Sequence, residues 1–460
     1  MKNEGYIDSI IDLICCPNCG SDFSAKISEK TFKCPRCLTT YFSLGGIPCI
    51  FENGIEELEN WRQQLGLLQQ QGQKSIDGIR SISKLPYLVD ETKSRMDEHA
   101  KSNTYSQKSI IDLFKSVGVS PALNANSDVR QVGRLAQYHE LFLRDWCWGD
   151  QEIAQFENTE NNLASGKIIE ILNNGEAFDN VLFLGSGAGR LSWDIHEHLQ
   201  PKATVALDMN PLLSLIADKM IKKLSPMKFS ECKEHAPIDS QQTRYWPLSP
   251  IPKNTHLADT WFPLMADAWS VPLKKHSFDL IVTPWFIDIN GEDVRDFLGL
   301  LDYLLKPGGL WINSGPLLYG PNTPIEQKYG ANEIRSLVKT AGFTIESDQS
   351  YSTPYLYCPN SSRYRVEQIW LFSSRKANNQ LERSAKEKYS WILLPHLPIP
   401  AHIQCPASAS REVHSVFAFI DGKLSVNDIS LKIAPHLPPD IPARDYVIAA
   451  LLTHASGSSR

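Results

Sequence analysis

The 460-residue sequence has no apolar run approaching the roughly 18 residues that a membrane span needs. Its first residues, MKNEGYIDSIIDL, lack the basic-then-apolar pattern of a secretory leader, so the chain reads as cytoplasmic, with no membrane partner. It also lacks an excess of basic residues. The net charge of −6 argues against a chain-wide nucleic-acid surface, and nucleic acid is not an expected partner. No internal repeat is visible, which sets aside solenoids and propellers. The ten cysteines are not spread as a disulfide framework would spread them, because four cluster as two CxxC motifs near the N-terminus. The length suggests two to four domains, at roughly 100–200 residues each.

Cys16, Cys19, Cys34 and Cys37 have the spacing C-x2-C-x14-C-x2-C. Each CxxC offers two thiolates from one tight turn, and two such turns complete the closed tetrahedral shell of a structural Zn2+. A unit this small has little core of its own, so metal binding would supply much of its folding energy. A single CxxC can instead be a thioredoxin-like redox pair, but the doubled motif favours metal. Cys15 is either a bystander or a substitute for Cys16. Residues 13–52, including the Gly46-Ile47-Pro48 turn, resemble the zinc-binding activator subunit of several RNA and protein methyltransferases. Lys26, Lys30, Lys33 and Arg36 against Asp22 and Glu29 leave +2, too little charge to make this ribbon a nucleic-acid reader.

The ribbon occupies residues 1–55. Residues 56–135 are polar, Gln-rich at 69–73 and weakly periodic, which implies helices joined by loops. Over 136–378 the pattern sharpens. VLFLG, TVALD, FPLMADAW, FDLIVTPWFID and LWINSGP read as strands, with helices near 162–173, 292–305 and 331–342, and FTIESDQSY and VEQIWLFSSRK close the sheet. Such alternation implies an α/β fold with a parallel sheet covered on both faces. Residues 222–260 interrupt it as an insertion or lid. Residues 385–460, Pro-rich at HLPIPAH and HLPPDIPAR, imply a small domain of three short helices, one of them capped by Ser425 with Asp428 in its first turn.

Gly185-Ser186-Gly187-Ala188-Gly189 follows a buried strand and opens a helix, where glycines permit a sharp turn and close approach of a ligand. Asp208 ends the next strand, where a carboxylate can accept both ribose hydroxyl protons. Asp267-Ala268 follows the third strand position, where an acid can accept from an adenine amino group. A nicotinamide site would share the glycine turn and the first acid. Asp267, the GxGxG spacing and the Lys306-Pro307-Gly308-Gly309 turn favour a methyltransferase. The chain here resembles the class I (Rossmann-like) methyltransferase family, which implies S-adenosylmethionine as cofactor and adds Arg190, beside the loop, to the cofactor-binding residues.

FLRDW (142–146), GSGAGRLSWDI (185–195), Trp285-Phe286-Ile287-Asp288 and LKPGGLWINSGPLLYG (305–320) together resemble the carnosine N-methyltransferase family over about 136–375. That resemblance implies that Arg144 helps hold the methionine carboxylate, that Asp288 hydrogen-bonds one ring nitrogen of a substrate imidazole, and that Tyr364 contacts substrate. The chemistry fits these residue types. A neutral imidazole offers a lone pair near pH 7, and a carboxylate on one ring nitrogen leaves the other bare. Asp288 could instead cap the helix near 292. Two departures bear on the acceptor: Gly320 stands where the family has histidine after LLY, and the tyrosine-rich stretch near the last strand is thinned to Ser362-Arg363-Tyr364-Arg365-Val366-Glu367. The expected acceptor is therefore a histidine imidazole in a peptide or small molecule, with Arg363 or Arg365 meeting a carboxylate.

The tail segment VFAFIDGKLSVNDISLKIAPHL resembles winged-helix modules that hold leader peptides, which implies a leader peptide as partner; self-association is the plainer role. Two other readings remain open from sequence: methyl transfer to another natural product or RNA, and a non-catalytic zinc-ribbon scaffold.

Overall fold

The computed structural model describes residues 10–23, 30–123, 138–153, 156, 158–233, 243–250, 255–289, 293–378, 398–399, 401, 403, 405, 409–438 and 441–454. Residues 1–9, which carry the expectation about a secretory leader, Lys26 and Glu29 of the ribbon charge count, parts of the 222–260 insertion and most of the Pro-rich stretch before the tail lie outside them.

The ribbon contributes β1 (Thr31–Lys33), β2 (Thr40–Leu44) and β3 (Ile47–Cys49). Two long helices follow, α1 (Gly54–Ile82) and α2 (Asp90–Ser116). Pro86 lies between them, and its ring cannot continue the first helix. Then come α3 (His139–Trp146), α4 (Glu160–Leu172), β4 (Asn180–Leu184), α5 (Arg190–Leu199), β5 (Ala203–Asp208) and α6 (Pro211–Ile221). The insertion is built on a hairpin of β6 (Met227–Cys232) and β7 (Thr243–Leu248). The alternation resumes with β8 (Trp261–Met265), β9 (Phe278–Pro284), α7 (Val294–Leu304), β10 (Leu305–Gly315) and α8 (Ala331–Thr340). The hairpin β11 (Phe343–Tyr355) and β12 (Arg365–Lys376) completes the sheet. The tail holds α9 (Arg411–Phe417), α10 (Val426–Ile433) and α11 (Ala443–His454), with Ser425 and Asp428 forming a capping box at the start of α10.

These strands make one ten-stranded sheet in the order β1-β2-β3-β8-β5-β4-β9-β10-β12-β11. From β8 to β10 neighbours are parallel, while β12 runs antiparallel to both β10 and β11. This is the class I methyltransferase α/β arrangement. The Lys306–Gly309 turn lies inside β10, at a register irregularity between Leu305 and Leu310, rather than ahead of the strand.

Successive residues along a strand face opposite sides, and the two faces have different cores. Leu182 and Leu184 pack with Phe297 and Leu301 of α7, Val338 of α8 and the ribbon. Val181 and Phe183 pack with Ile168 of α4 and Ile195 of α5. The ribbon is not a detached bead: Cys49 pairs with Met265, and the Ile50 N–H donates to the Met265 carbonyl at 2.9 Å, so its strands extend the main sheet at the β8 edge. The tail helices bury Val416, Ile429, Ile433 and Val447 in a core of their own. No helix among the described residues is long and apolar enough to cross a membrane.

His196 of α5 is fully buried, with Nδ1 2.8 Å from Thr204 Oγ1 and Nε2 2.9 Å from the Leu257 carbonyl. Burial pulls its pKa down from 6.5 to about 4. Between those values the unfolded chain binds a proton that the folded chain refuses, so stability falls as pH drops from 6.5 towards 4. NMR of the His196 ring should show the neutral form down to about pH 5; a ring that titrates near its ordinary value would exclude this contribution.

Candidate active site

In open α/β sheets ligands bind outside the carboxyl ends of the strands where the chain order reverses. Here that point lies between β4, which the chain leaves towards β5 and β8, and β9, which it reaches on the opposite side. The loop after β4 is Gly185–Gly189, and the loop after β9 begins at Trp285. The two loops touch. A Cβ on Gly185 would lie 2.7 Å from the Phe286 ring, and Gly185 has φ +75°, so both space and backbone require glycine. A Cβ on Gly189 would lie 2.8 Å from that of Ala217, beneath the start of α5. Gly187 differs: nothing lies within 4 Å of its Cβ position, so its backbone faces open space.

That space is a cavity of 750 Å³ lined by Arg144, Gly185, Gly187, Arg190, Asp208, Asp267 and Ala268, among others. Asp208 Oδ2 accepts from the Gly187 N–H at 2.8 Å, and Oδ1 accepts from the Asn210 N–H at 2.8 Å. Burial pushes its carboxyl up to about 6, with the amides of Asn210 and Gly187 opposing. Asp267 Oδ1 accepts from the Trp269 N–H at 2.9 Å and caps the short turn Ala268–Ser270. Arg144 holds Asp145 Oδ1 through Nε at 2.7 Å and Nη2 at 2.6 Å. Burial opposes its charge, but Asp145 and Glu160 outweigh that and keep it ionised. Arg190 Nε donates to Asp194 at 2.8 Å and its Nη1 to Asp150 at 2.7 Å and the Asp145 carbonyl at 3.1 Å, bracing the start of α5 against the segment after α3.

Asp288 lies next to this crevice but not among its lining residues. It is 5% exposed, and its Oδ2 accepts from the Leu318 N–H at 2.6 Å. Its Oδ1 is buried without a partner among the described residues. Burial raises its carboxyl above the usual range, with the Leu318 amide opposing. It does not cap α7: Asp293 does, accepting from the Arg295 N–H at 2.9 Å. Trp285 is held in the left-handed region at φ +47°, with Nε1 donating to Glu367 Oε2 at 3.0 Å. Tyr364 is placed apart from Asp288. It is 39% exposed, meets the Tyr357 ring at 5.1 Å, and lines a second cavity of 1020 Å³ with Arg363 and Arg365. Tyr355 lines both cavities, and the Arg365 guanidinium lies 4.3 Å over its ring.

Sequence reading did not single out Glu367, Tyr355 or α1, whose Glu57, Asn60, Trp61 and Gln64 also line the donor cavity. Glu367 and Tyr355 look like ordinary strand positions until the β11–β12 hairpin sets them beside Trp285.

The open cradle at Gly187 and two strand-end carboxylates with amide-fixed geometry fit S-adenosylmethionine. The metal centre also fits its expected ion. The Sγ atoms of Cys16, Cys19, Cys34 and Cys37 all lie within 4.8 Å of one another, with Cys16–Cys37 and Cys19–Cys34 each at 3.5 Å. Four thiolates 2.3 Å from one tetrahedral zinc would be about 3.8 Å apart. His139, Glu140 and Glu231 also converge, but Lys233 already supplies the cation there, 2.5 Å from Glu140 and 2.9 Å from Glu231.

A family model described as carnosine N-methyltransferase matches residues 124–378. The carnosine N-methyltransferase of Rattus norvegicus is 27% identical over 292 residues, 58% of this chain and 70% of its own. That of Drosophila melanogaster is 30% identical over 122 residues, 25% of this chain and 26% of its own. Among solved structures, a SAM-dependent methyltransferase from Aquifex aeolicus is 15% identical, with a TM-score of 0.31, over 47% of this chain and 92% of its own.

If ribose hydroxyls donate to an ionised Asp208, affinity for S-adenosylhomocysteine should rise as pH passes upward through about 6. In Asp208→Asn the rise should disappear and binding weaken about ten- to a hundredfold, the scale of a hydrogen bond to a charged group; titration calorimetry across pH checks both. Metal analysis should find zinc in the intact chain and none in a Cys16→Ser/Cys19→Ser double variant. Full metal content in that variant would remove the four-cysteine site.

Proposed function

The chain belongs to the carnosine N-methyltransferase family and is an S-adenosylmethionine-dependent methyltransferase, and from that premise we propose that it methylates a histidine imidazole nitrogen in a peptide or small molecule. The observation that carries this reading is Asp288 Oδ1, a buried acceptor without a partner among the described residues. A buried polar atom left unpaired costs about 1–3 kcal/mol, and such atoms call for a functional explanation. An imidazole N–H supplies the missing donor. With Oδ2 anchored by the Leu318 amide, Asp288 fixes the tautomer and leaves the second ring nitrogen with its lone pair free.

When bound, S-adenosylmethionine supplies a methyl group on a sulfonium, a leaving group that needs positioning rather than a strong base. On this reading Asp208 takes the ribose hydroxyls, Asp267 the adenine amino group and Arg144 the methionine carboxylate. Arg190, already engaged by Asp150 and Asp194, acts through the loop it braces. The Trp285–Glu367 bond and Gly185 against Phe286 hold the acceptor loop beside the donor loop. The second cavity, reached past Tyr355, supports an acceptor with more to it than an imidazole, with Tyr364 touching its chain and Arg363 or Arg365 meeting a carboxylate.

Mass spectrometry of products from carnosine and from histidine-containing peptides is the direct test. Asp288→Ala should lower turnover of the true acceptor by on the order of a hundredfold or more, the cost of misplacing a reacting atom, while S-adenosylhomocysteine still binds. Near-intact turnover in that variant would remove the imidazole-orienting role and leave methyl transfer to another natural product or to RNA.

A further inference from the structure

We propose that α1, the helix that directly follows the ribbon, is a donor-binding element whose Asn60–Gln64 amide pair contacts the adenosine end of S-adenosylmethionine. The inference rests on the assignment of the 750 Å³ cavity to the methyl donor. The family model begins at residue 124, so this wall is built by a part of the chain outside the matched segment.

Glu57, Asn60, Trp61 and Gln64 fall at i, i+3, i+4 and i+7, a single helical face, and all four line the cavity that holds Asp208 and Asp267. That face is fixed from behind. The Trp61 ring meets Phe51 edge-on at 5.6 Å and Phe42 of the ribbon at 6.2 Å, and is 3% exposed. Gly66 lies where a Cβ would meet the Ala122 carbonyl at 2.0 Å, which closes the other side of the helix against the chain after α2. The tether sets which end of the cavity α1 reaches. Ile50 is hydrogen-bonded to Met265, two residues before Asp267, and α1 starts at Gly54. Asn60 is then only about 9 Å further along the helix axis. This places the amide pair on the β8 side, with the strand end that carries Asp267 and Ala268.

The chemistry of the pair matches a purine. Gln64 Nε2 donates to Asn60 Oδ1 at 3.2 Å. That bond leaves the Asn60 amide N–H groups as donors and the Gln64 carbonyl as an acceptor, neither with a partner among the described residues. Gln64 is 6% exposed, a buried amide beside a cavity. Adenine presents an amino donor next to a ring-nitrogen acceptor, the edge that Asn and Gln amides recognise.

The test is calorimetry on the full zinc-loaded chain with two probes, S-adenosylhomocysteine and 5′-methylthioadenosine, which share adenosine but not the amino-acid end. Asn60→Ala and Asn60→Asp should each weaken both probes by the same factor, roughly five- to tenfold, the scale of a neutral hydrogen bond. Alanine is a better helix former than asparagine, so the first variant keeps α1, and zinc content and melting temperature monitor the fold in both. Affinities within twofold of the unsubstituted chain would overturn the proposal, and so would a loss confined to S-adenosylhomocysteine. If the unsubstituted chain bound neither probe, the assignment of the cavity to the donor would fail first, and that result is distinct from the other two.

Discussion

The parallel pairing of β4 with β9, through Val181↔Leu280, Leu182↔Ile281 and Phe183↔Val282, is the constraint on which the rest of the site depends. The chain leaves β4 in one direction and returns to β9 from the other. Their carboxyl ends therefore share a crevice. One loop carries the open glycine cradle and the other carries Trp285 to Asp288. The absence of a Cβ at Gly185 lets the Phe286 ring close on the turn, so the two loops become one surface. A methyl transfer that depends chiefly on position gains most from such a shared, rigid edge.

The polar groups at this edge divide by whether the protein satisfies them. Arg190 is held by two carboxylates and a carbonyl, which ties it to the scaffold. Asp208 and Asp267 are half satisfied by backbone amides that aim them into the cavity. Asp288 is anchored at one oxygen, and the other has no partner among the described residues. Burial raises the carboxyls of Asp208 and Asp288, so each gains from a ligand that donates hydrogen bonds. The unpaired groups are the ones that a donor and an imidazole would complete.

The ribbon enters this scheme as sheet rather than appendage. Its strands pair β1 to β2 and β2 to β3, β3 continues the sheet edge at Met265, and α1 follows and lines the 750 Å³ cavity. The four-cysteine cluster thus connects to the crevice through one strand pairing and one tryptophan.

The order of strands and helices, the GxGxG turn, both strand-end acids and the doubled CxxC were legible in the sequence, because they depend on spacing along a short stretch of chain. Period-two and helical patterns report which face is buried, and glycines report turns, without knowledge of any partner. The two long helices over 54–116 were implied only as unspecified helices, and their place over the cavity was not, since a weak apolar stripe says nothing of what it packs against. Asp288 was ambiguous between cap and substrate contact until the fold put Asp293 on the helix end and Leu318 on Asp288. Arg190 and Tyr364 looked alike as family positions, but the structure engages one with acids and sets the other on a second cavity. Sequence alone determined the fold class, the glycine turn with its strand-end acids and the four-cysteine cluster, because each rests on neighbours in the chain. Tertiary structure decided which carboxylate oxygen is left unpaired, which arginine is spent on the scaffold and which helix closes the cleft, because each depends on residues 30 to more than 100 positions away meeting at one strand edge.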